Sequence, residues 1–346
     1  MSEQLSDVDA EEQKPDLVVT DGEPTAPKAV PVVREPRVRR LNIIGRRNWF
    51  FLLSLIIIVP GIVSMATRGF ALGIDFAGGT ELTVNFADHP SLLQVQTEVS
   101  AEGQNGTVIQ TGCPSSATGN PTCFIIRYPA MSPQQETLVQ NDLQRRLGDM
   151  TTQSILVVGG TIAGETVEFA LLAVVIASIA ILFLLAIRFR NVPGGWRAGF
   201  QFGGSALAAL LHDVFVLTGI FSVLGKVLGL RIGEIDAFFV TAVLTVVGFS
   251  VHDTIVVFDR IRENLRVSQR LSFEQVVNLS IMQTAARSII TSFTVVLVLA
   301  AILIAGGTTI QGLALALLIG IVSGTYSSIF NAAPLLVVWR RVQPLR

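Results

Sequence analysis

Charge is scarce in this chain. Asp, Glu, Lys and Arg make up 15% of its 346 residues while half are hydrophobic, and the mean hydropathy is +0.59, well outside what a soluble domain of this length needs to fill a core. An ordinary water-soluble protein is excluded, and a polytopic membrane protein is indicated. A phosphate-binding loop of the form GxxxxGK[ST] is also missing, so any work must draw on an ion gradient or on partners. Cys113 and Cys123 are the only cysteines, too few ligands for a metal site. His89 lies beside Pro90 at a turn and is no candidate ligand or catalyst. The chain is therefore read as a non-enzyme without catalytic residues, metal, cofactor or nucleic-acid partner.

Long hydrophobic runs are what it does have. Windows able to cross roughly 30 Å of hydrocarbon fall at 48–67, 167–187, 200–221, 237–258, 288–305 and 310–338, which makes six spans. Arginines cluster before the first (Arg34, Arg37, Arg39, Arg40, Arg46, Arg47), between the second and third (Arg188, Arg190, Arg197), after the fourth (Arg260, Arg262, Arg266, Arg270) and at the end (Arg340, Arg341). The positive-inside rule makes these regions cytoplasmic. Both termini then lie inside and residues 69–165 outside. Long and Arg-flanked, the first span reads as a retained anchor rather than a removed signal peptide.

The expected organisation follows. Residues 1–36, rich in Asp, Glu, Pro and Lys, are expected to form a disordered cytoplasmic tail. Residues 37–67 form a basic flank and the first span, 68–165 an extracytoplasmic domain, and 166–346 the other five spans, with a cytoplasmic amphipathic segment near 260–286. In the external part TELTVNF (80–86) alternates as a half-buried strand does, and SLLQVQTEVSAEG (91–103) reads as an amphipathic helix. GTVIQ and TCFIIRYP are two more strands. Ser132 and Pro133 suit the cap and first turn of the helix QQETLVQNDLQRRLGD, and TTQSILVV is a last strand. The order β-α-β-β-α-β is that of a ferredoxin-like α+β sandwich. Cys113 and Cys123 flank its central turn in a compartment where disulfides persist, and a bond between them is expected; two free buried thiols are the alternative.

Three spans carry polar groups at depth: His212 and Asp213 in the third, His252 and Asp253 in the fourth, Arg287 at the opening of the fifth. An ionised Asp at the bilayer centre costs about 2.5 kcal/mol or more, so such residues belong to ion or proton paths by default. Burial raises the affinity of an Asp for its proton and a nearby Arg lowers it, so a small movement of Arg287 could toggle Asp253. Thr291, one turn beyond Arg287, shares its face. Plainer readings stand beside these. Arg287 could be a cytoplasmic flank, and Asp213 with His212 a structural pair across helices. Asp253 has apolar neighbours on both sides, which favours a functional role.

GIDFAGGT (73–80), LLHDVFVLTGIFSVLG (210–225), GFSVHDTIVVFDRIREN (248–264) and QTAARSIITS (283–292) together resemble SecF, the smaller partner in the SecD and SecF pair of the bacterial protein-export system. The resemblance covers nearly everything from about residue 40 onward, with the motifs in order. It implies a resistance-nodulation-division type half, in which a proton gradient moves external domains. It also implies that Asp253 matches the proton-conducting carboxylate, Arg287 its basic neighbour and Thr291 the polar residue a turn later. His252 replaces an Asn common in the family.

By the same resemblance, SecD would supply the other six-span half as a heteromer in the bacterial cytoplasmic membrane. The SecYEG channel, YajC, SecA acting indirectly and unfolded preproteins would be further partners. The alternative is half of a proton-driven small-molecule or lipid exporter of the same superfamily. An intramembrane aspartyl protease would need two facing carboxylates, and the GxGD context of that class is absent around Asp213 and Asp253.

Overall fold

In the computed structural model residues 41–101, 107–111, 123–267 and 270–344 are described. The chain runs through α1 (Arg47–Arg68), a single turn α2 (Ile74–Ala77), β1 (Gly79–Phe86), α3 (Leu92–Ala101), β2 (Thr107–Thr111), β3 (Cys123–Tyr128), α4 (Pro133–Leu147) and β4 (Met150–Val158). It continues through α5 (Gly160–Arg188), α6 (Gly195–Ser222), α7 (Ala237–Val267), α8 (Phe273–Ala305) and α9 (Thr308–Ser327), which passes through a π-helical turn into α10 (Ala333–Val342). The 1–36 tail and Cys113, one half of the expected disulfide, lie outside the described residues.

Six helical stretches among the described residues are long and apolar enough to cross a membrane, the sixth formed by α9 and α10 together. Half or nearly half of the α6, α7 and α9–α10 spans is buried within the chain (44, 50 and 44%), against 17, 11 and 17% for α1, α5 and α8. The first three therefore form the centre, and the others turn apolar faces outward. Small residues set the crossing of α1 and α6: a Cβ on Gly61 of α1 would sit 2.8 Å from the Gly219 Cα of α6. Only glycines allow that approach. At the Arg-rich end Phe189 stacks on Phe202 at 4.8 Å and Phe258 meets Phe202 edge-on at 5.0 Å, which locks α5, α6 and α7 together.

The four strands form one antiparallel sheet in the order β2-β3-β1-β4, the ferredoxin-like topology that the β-α-β-β-α-β pattern predicts. Alternation in β1 buries Thr80, Leu82, Val84 and Phe86. Against them pack Val95 and Val99 of α3, Phe124 and Ile126 of β3, and Val139, Leu143 and Leu147 of α4. Ser132 caps α4 in a reciprocal box with Gln135, and Pro133 occupies the first turn as its fixed φ favours.

The fourth and fifth spans run longer than their hydropathy windows. α7 continues past Phe258 to Val267, and α8 begins at Phe273, where Ser272 and Gln275 form a second capping box. Arg287 thus lies in the middle of α8 rather than at its opening. The segment near 260–286 consists largely of these two helix ends. Hydropathy registers only the lipid-matched length, whereas Arg, Gln and Glu are good helix formers that carry a helix beyond it.

Candidate functional site: two buried carboxylates

α6 carries His212 and Asp213, α7 carries His252 and Asp253, and both aspartates point into the helical bundle. Both carboxylates are buried, at 1% and 3% exposure, but their surroundings differ. Asp213 accepts from the hydroxyls of Ser250 of α7 at 2.6 Å, Ser327 of α9 at 2.6 Å and Ser323 of α9 at 2.7 Å. Its own neighbour His212 adds Nδ1 at 3.1 Å. A buried charge is tolerable when it is this fully paired, and the pairing ties α6 to two other helices. The His212 ring lies 6.2 Å from that of Tyr326, whose hydroxyl donates to the Phe50 carbonyl at 2.8 Å.

Asp253 sits more loosely. The Ser292 hydroxyl of α8 approaches it at 3.5 Å, the outer limit of a hydrogen bond, and Thr325 of α9 donates to Ser292 in turn. Asp253 is thus joined by Ser292 and Thr325, not by the expected Arg287 and Thr291. Those two lie on the exposed face of α8, where the Thr291 hydroxyl donates to the Arg287 carbonyl at 2.9 Å. Among the described residues Arg287 forms no ion pair. His252 is exposed on α7, as are Thr241 and Thr245 above it, and Thr294 continues the polar row on α8. A row of polar groups that includes an arginine is costly against lipid. Arg287 also borders an opening of about 490 Å³ at the Arg-rich end, with Val256, Asp259, Arg260, Arg262, Glu263, Arg266 and Thr284.

The far end of α7 is fastened to the sandwich domain. Asp236 accepts from the Phe239 amide at 2.8 Å, and Asp75 of the GIDFAGGT motif accepts from the Ala237 amide at 2.9 Å, so two carboxylates cap one helix. Burial, with the Asp75 charge added, pushes the Asp236 carboxyl above its usual range. Arg127 of β3 bonds Glu81 of β1 at 2.6 Å and Glu234, just before α7, at 2.8 Å. Burial works to lower the Arg127 value, but Glu234 and Glu81 outweigh it and the guanidinium is held more firmly charged. Gly79 opens β1 with φ of 124°, and a Cβ there would lie 2.4 Å from the Tyr128 carbonyl oxygen. Gly79, the third glycine of the motif, is therefore required by both backbone conformation and space.

Sequence reasoning missed Ser250, Ser323, Ser327, Ser292 and Thr325, the hydroxyls that contact or support the two carboxylates. A single serine in an apolar helix carries little signal. The spacing of Ser323 and Ser327, one turn apart on one face, is the clue that could have found them.

The family model described as "Protein export membrane protein SecD/SecF, C-terminal" matches residues 139–342, and the SecD/SecF GG motif matches residues 63–88. A protein translocase subunit SecF from Thermobaculum terrenum is 45% identical over 312 residues, 88% of this chain and 96% of that one. One from Haemophilus influenzae is 35% identical, covering 87% and 84%. The crystal structure of SecDF, a translocon-associated membrane protein from Thermus thermophilus, superposes with a TM-score of 0.74 at 29% identity over 87% of this chain. Only 39% of the SecDF chain is covered.

Proposed function

Because the chain belongs to the SecD/SecF family of protein export membrane proteins, as a multi-pass translocase subunit of the SecF kind, we propose that it uses the proton motive force, together with SecD, to promote the late translocation of preproteins. In this reading Asp253 takes up and releases the proton. The observation that carries it is the contrast in pairing. A carboxylate 3% exposed, with its Ser292 hydroxyl at 3.5 Å, lacks the three short hydroxyl bonds that tie Asp213 into its place. Each proton that crosses yields about 2.3 kcal/mol per 100 mV of membrane potential.

SecD covers the polar face formed by His252, Arg287, Thr291 and Thr294, which lipid would not tolerate. Arg287 and Thr291 then act from that interface rather than from within this chain. The arginine clusters support an orientation with the Arg-rich end and both termini in the cytoplasm of a bacterial cell and the sandwich domain outside. α7 provides the coupling, since it carries Asp253 at mid-length and is capped at its outer end by Asp75 and Asp236. A shift of α7 on protonation therefore pulls on the sandwich domain through Arg127 and Glu234. The SecYEG channel, YajC, SecA acting from the other side and emerging unfolded preproteins complete the assembly. Cys113 bonded to Cys123 braces the outer domain.

The test is pulse-chase export of a preprotein in cells that depend on this chain, comparing wild type, Asp253→Asn and Asp253→Glu at equal membrane levels. Loss of export in Asn with partial activity in Glu is expected. Export at the wild-type rate in Asn would overturn the reading.

A further inference from the structure

Hydroxyl residues recur at every fourth position of α8: Ser280, Thr284, Ser288 and Ser292. All four are buried. A spacing of four keeps them on one face of the helix, and both ends of the column meet α7. The Asn264 amide donates to the Ser280 hydroxyl at 2.8 Å, and the Ser292 hydroxyl approaches Asp253 at 3.5 Å. The column therefore lies in the α7–α8 seam. Its upper end is at Asp253, and Thr284 near its lower end borders the Arg-rich opening.

The hydroxyls differ in what they bond. Ser280 donates to the Val276 carbonyl at 2.8 Å, and Thr284 donates to the Ser280 carbonyl at 2.9 Å. Ser292 reaches Asp253. Ser288, at 2% exposure, has its oxygen buried without a partner. A buried hydroxyl left unpaired costs about 1–3 kcal/mol, and water is the usual remedy where protein offers none. Four residues of helix advance about 6 Å. One water making two hydrogen bonds of about 2.8 Å spans that interval.

We propose that Ser288 is the middle station of a hydroxyl-and-water relay that carries the proton between Asp253 and the Arg-rich opening, with Ser292 on one side of it and Thr284 on the other. This rests on the reading that Asp253 gains and loses a proton. When neutral Asp253 discharges, its carboxyl O–H bond breaks and the proton bonds to the Ser292 oxygen. The hydroxyl proton of Ser292 passes to a bridging water, a proton of that water to Ser288, and so on through a second water and Thr284 to water in the opening. Each hydroxyl turns to accept from one side and donate to the other, gaining one proton and losing one. Asp253 is left as the carboxylate, and one proton appears in the opening.

Thr and Val have the same shape and differ at this position by the hydroxyl alone. Ser288→Thr, Ser288→Val and Asp253→Asn are compared by pulse-chase export at equal membrane levels. With the relay, Thr stays within about twofold of wild type and Val falls about tenfold or more. If Val does not accumulate, Ser288→Ala replaces it against Thr under the same criterion. Equal rates with and without the hydroxyl overturn the relay, and an Asp253→Asn chain that still fails to export then leaves the proton-coupled reading standing. Wild-type export by Asp253→Asn removes that reading, and the relay with it.

Discussion

Two His-Asp pairs, forty residues apart, occupy neighbouring helices, and only one of them is tightly held. Asp213 receives three hydroxyl bonds of 2.6 to 2.7 Å from two other helices, whereas Ser292 meets Asp253 at 3.5 Å. The dipeptide does not determine the role; the neighbours do. A carboxylate surrounded by short donors behaves as a joint, because changing its charge would strand every hydroxyl aimed at it. A carboxylate met by Ser292 at 3.5 Å and by Thr325, without the short bonds of Asp213, loses less when it is neutralised.

The widest gap between the two appears when each is made neutral. Asp253→Asn is expected to stop export while the thermal midpoint of the purified protein in detergent stays put. Asp213→Asn is expected to lower that midpoint through a loss of about 2 kcal/mol while some export survives. Reversed outcomes would exchange the roles of joint and proton site. The outer fastening gives a sharper version of the joint. Arg127→Met removes the cation that bonds both Glu81 and Glu234, at side-chain exposures of 12% and 14%, leaves Glu81 its longer contact with Arg231 at 3.5 Å, and should cost about 2 kcal/mol, read as earlier thermal unfolding. No change in midpoint would make that network decorative. Ser292→Ala should cost less, about 1 kcal/mol, since its bond to Asp253 is long and the Thr325 hydroxyl that donates to it also has the Ile321 carbonyl; a drop as large as that of Asp213→Asn would erase the distinction.

The smallest effect belongs to Asp236, a half-buried carboxylate outside the membrane spans. Its folded-state value is raised by burial and by Asp75, so the folded chain binds more protons than the unfolded one. Its contribution to stability is thus fullest below the ordinary carboxylate value of about 3.9, declines as pH rises through the window up to the raised value, and is flat above. Asp236→Asn, which keeps the helix cap, should flatten this part of the stability–pH profile measured by chemical denaturation. An unchanged slope would exclude Asp236 as its source.

Most of the architecture could be read from the chain. The six spans follow from hydropathy, and the sandwich topology follows from alternation in 80–86 and the Ser132–Pro133 start of α4. Helix ends were less legible: Ser272 and Gln275 form a capping box at the true start of α8, yet a hydropathy window ignores polar helix formers. At the site, Asp213 and Asp253 stood out because charge is rare in apolar runs. Their serine partners did not, since a lone Ser suits a lipid-facing helix as well as an interior one. Arg287 was paired with Asp253 because both are rare charges in the spans, and resemblance repeated the pairing, whereas within one chain Arg287 faces outward, and no single sequence records what a second chain would place against it.

The Gly78–Gly79 turn has a further consequence. A Cβ on Gly78 would lie 3.3 Å from the Gly160 Cα, and Gly79 pairs with Val158 across β1 and β4. The chain therefore leaves the helical bundle and returns to it at nearly one point, after a detour of about eighty residues. Lengthening a loop that is closed at one point costs little, about 0.6 kcal/mol of closure entropy for each doubling. The sandwich is thus a modular insertion, carried on a two-strand stem, and its size could change without altering the registration of the six helices beneath it.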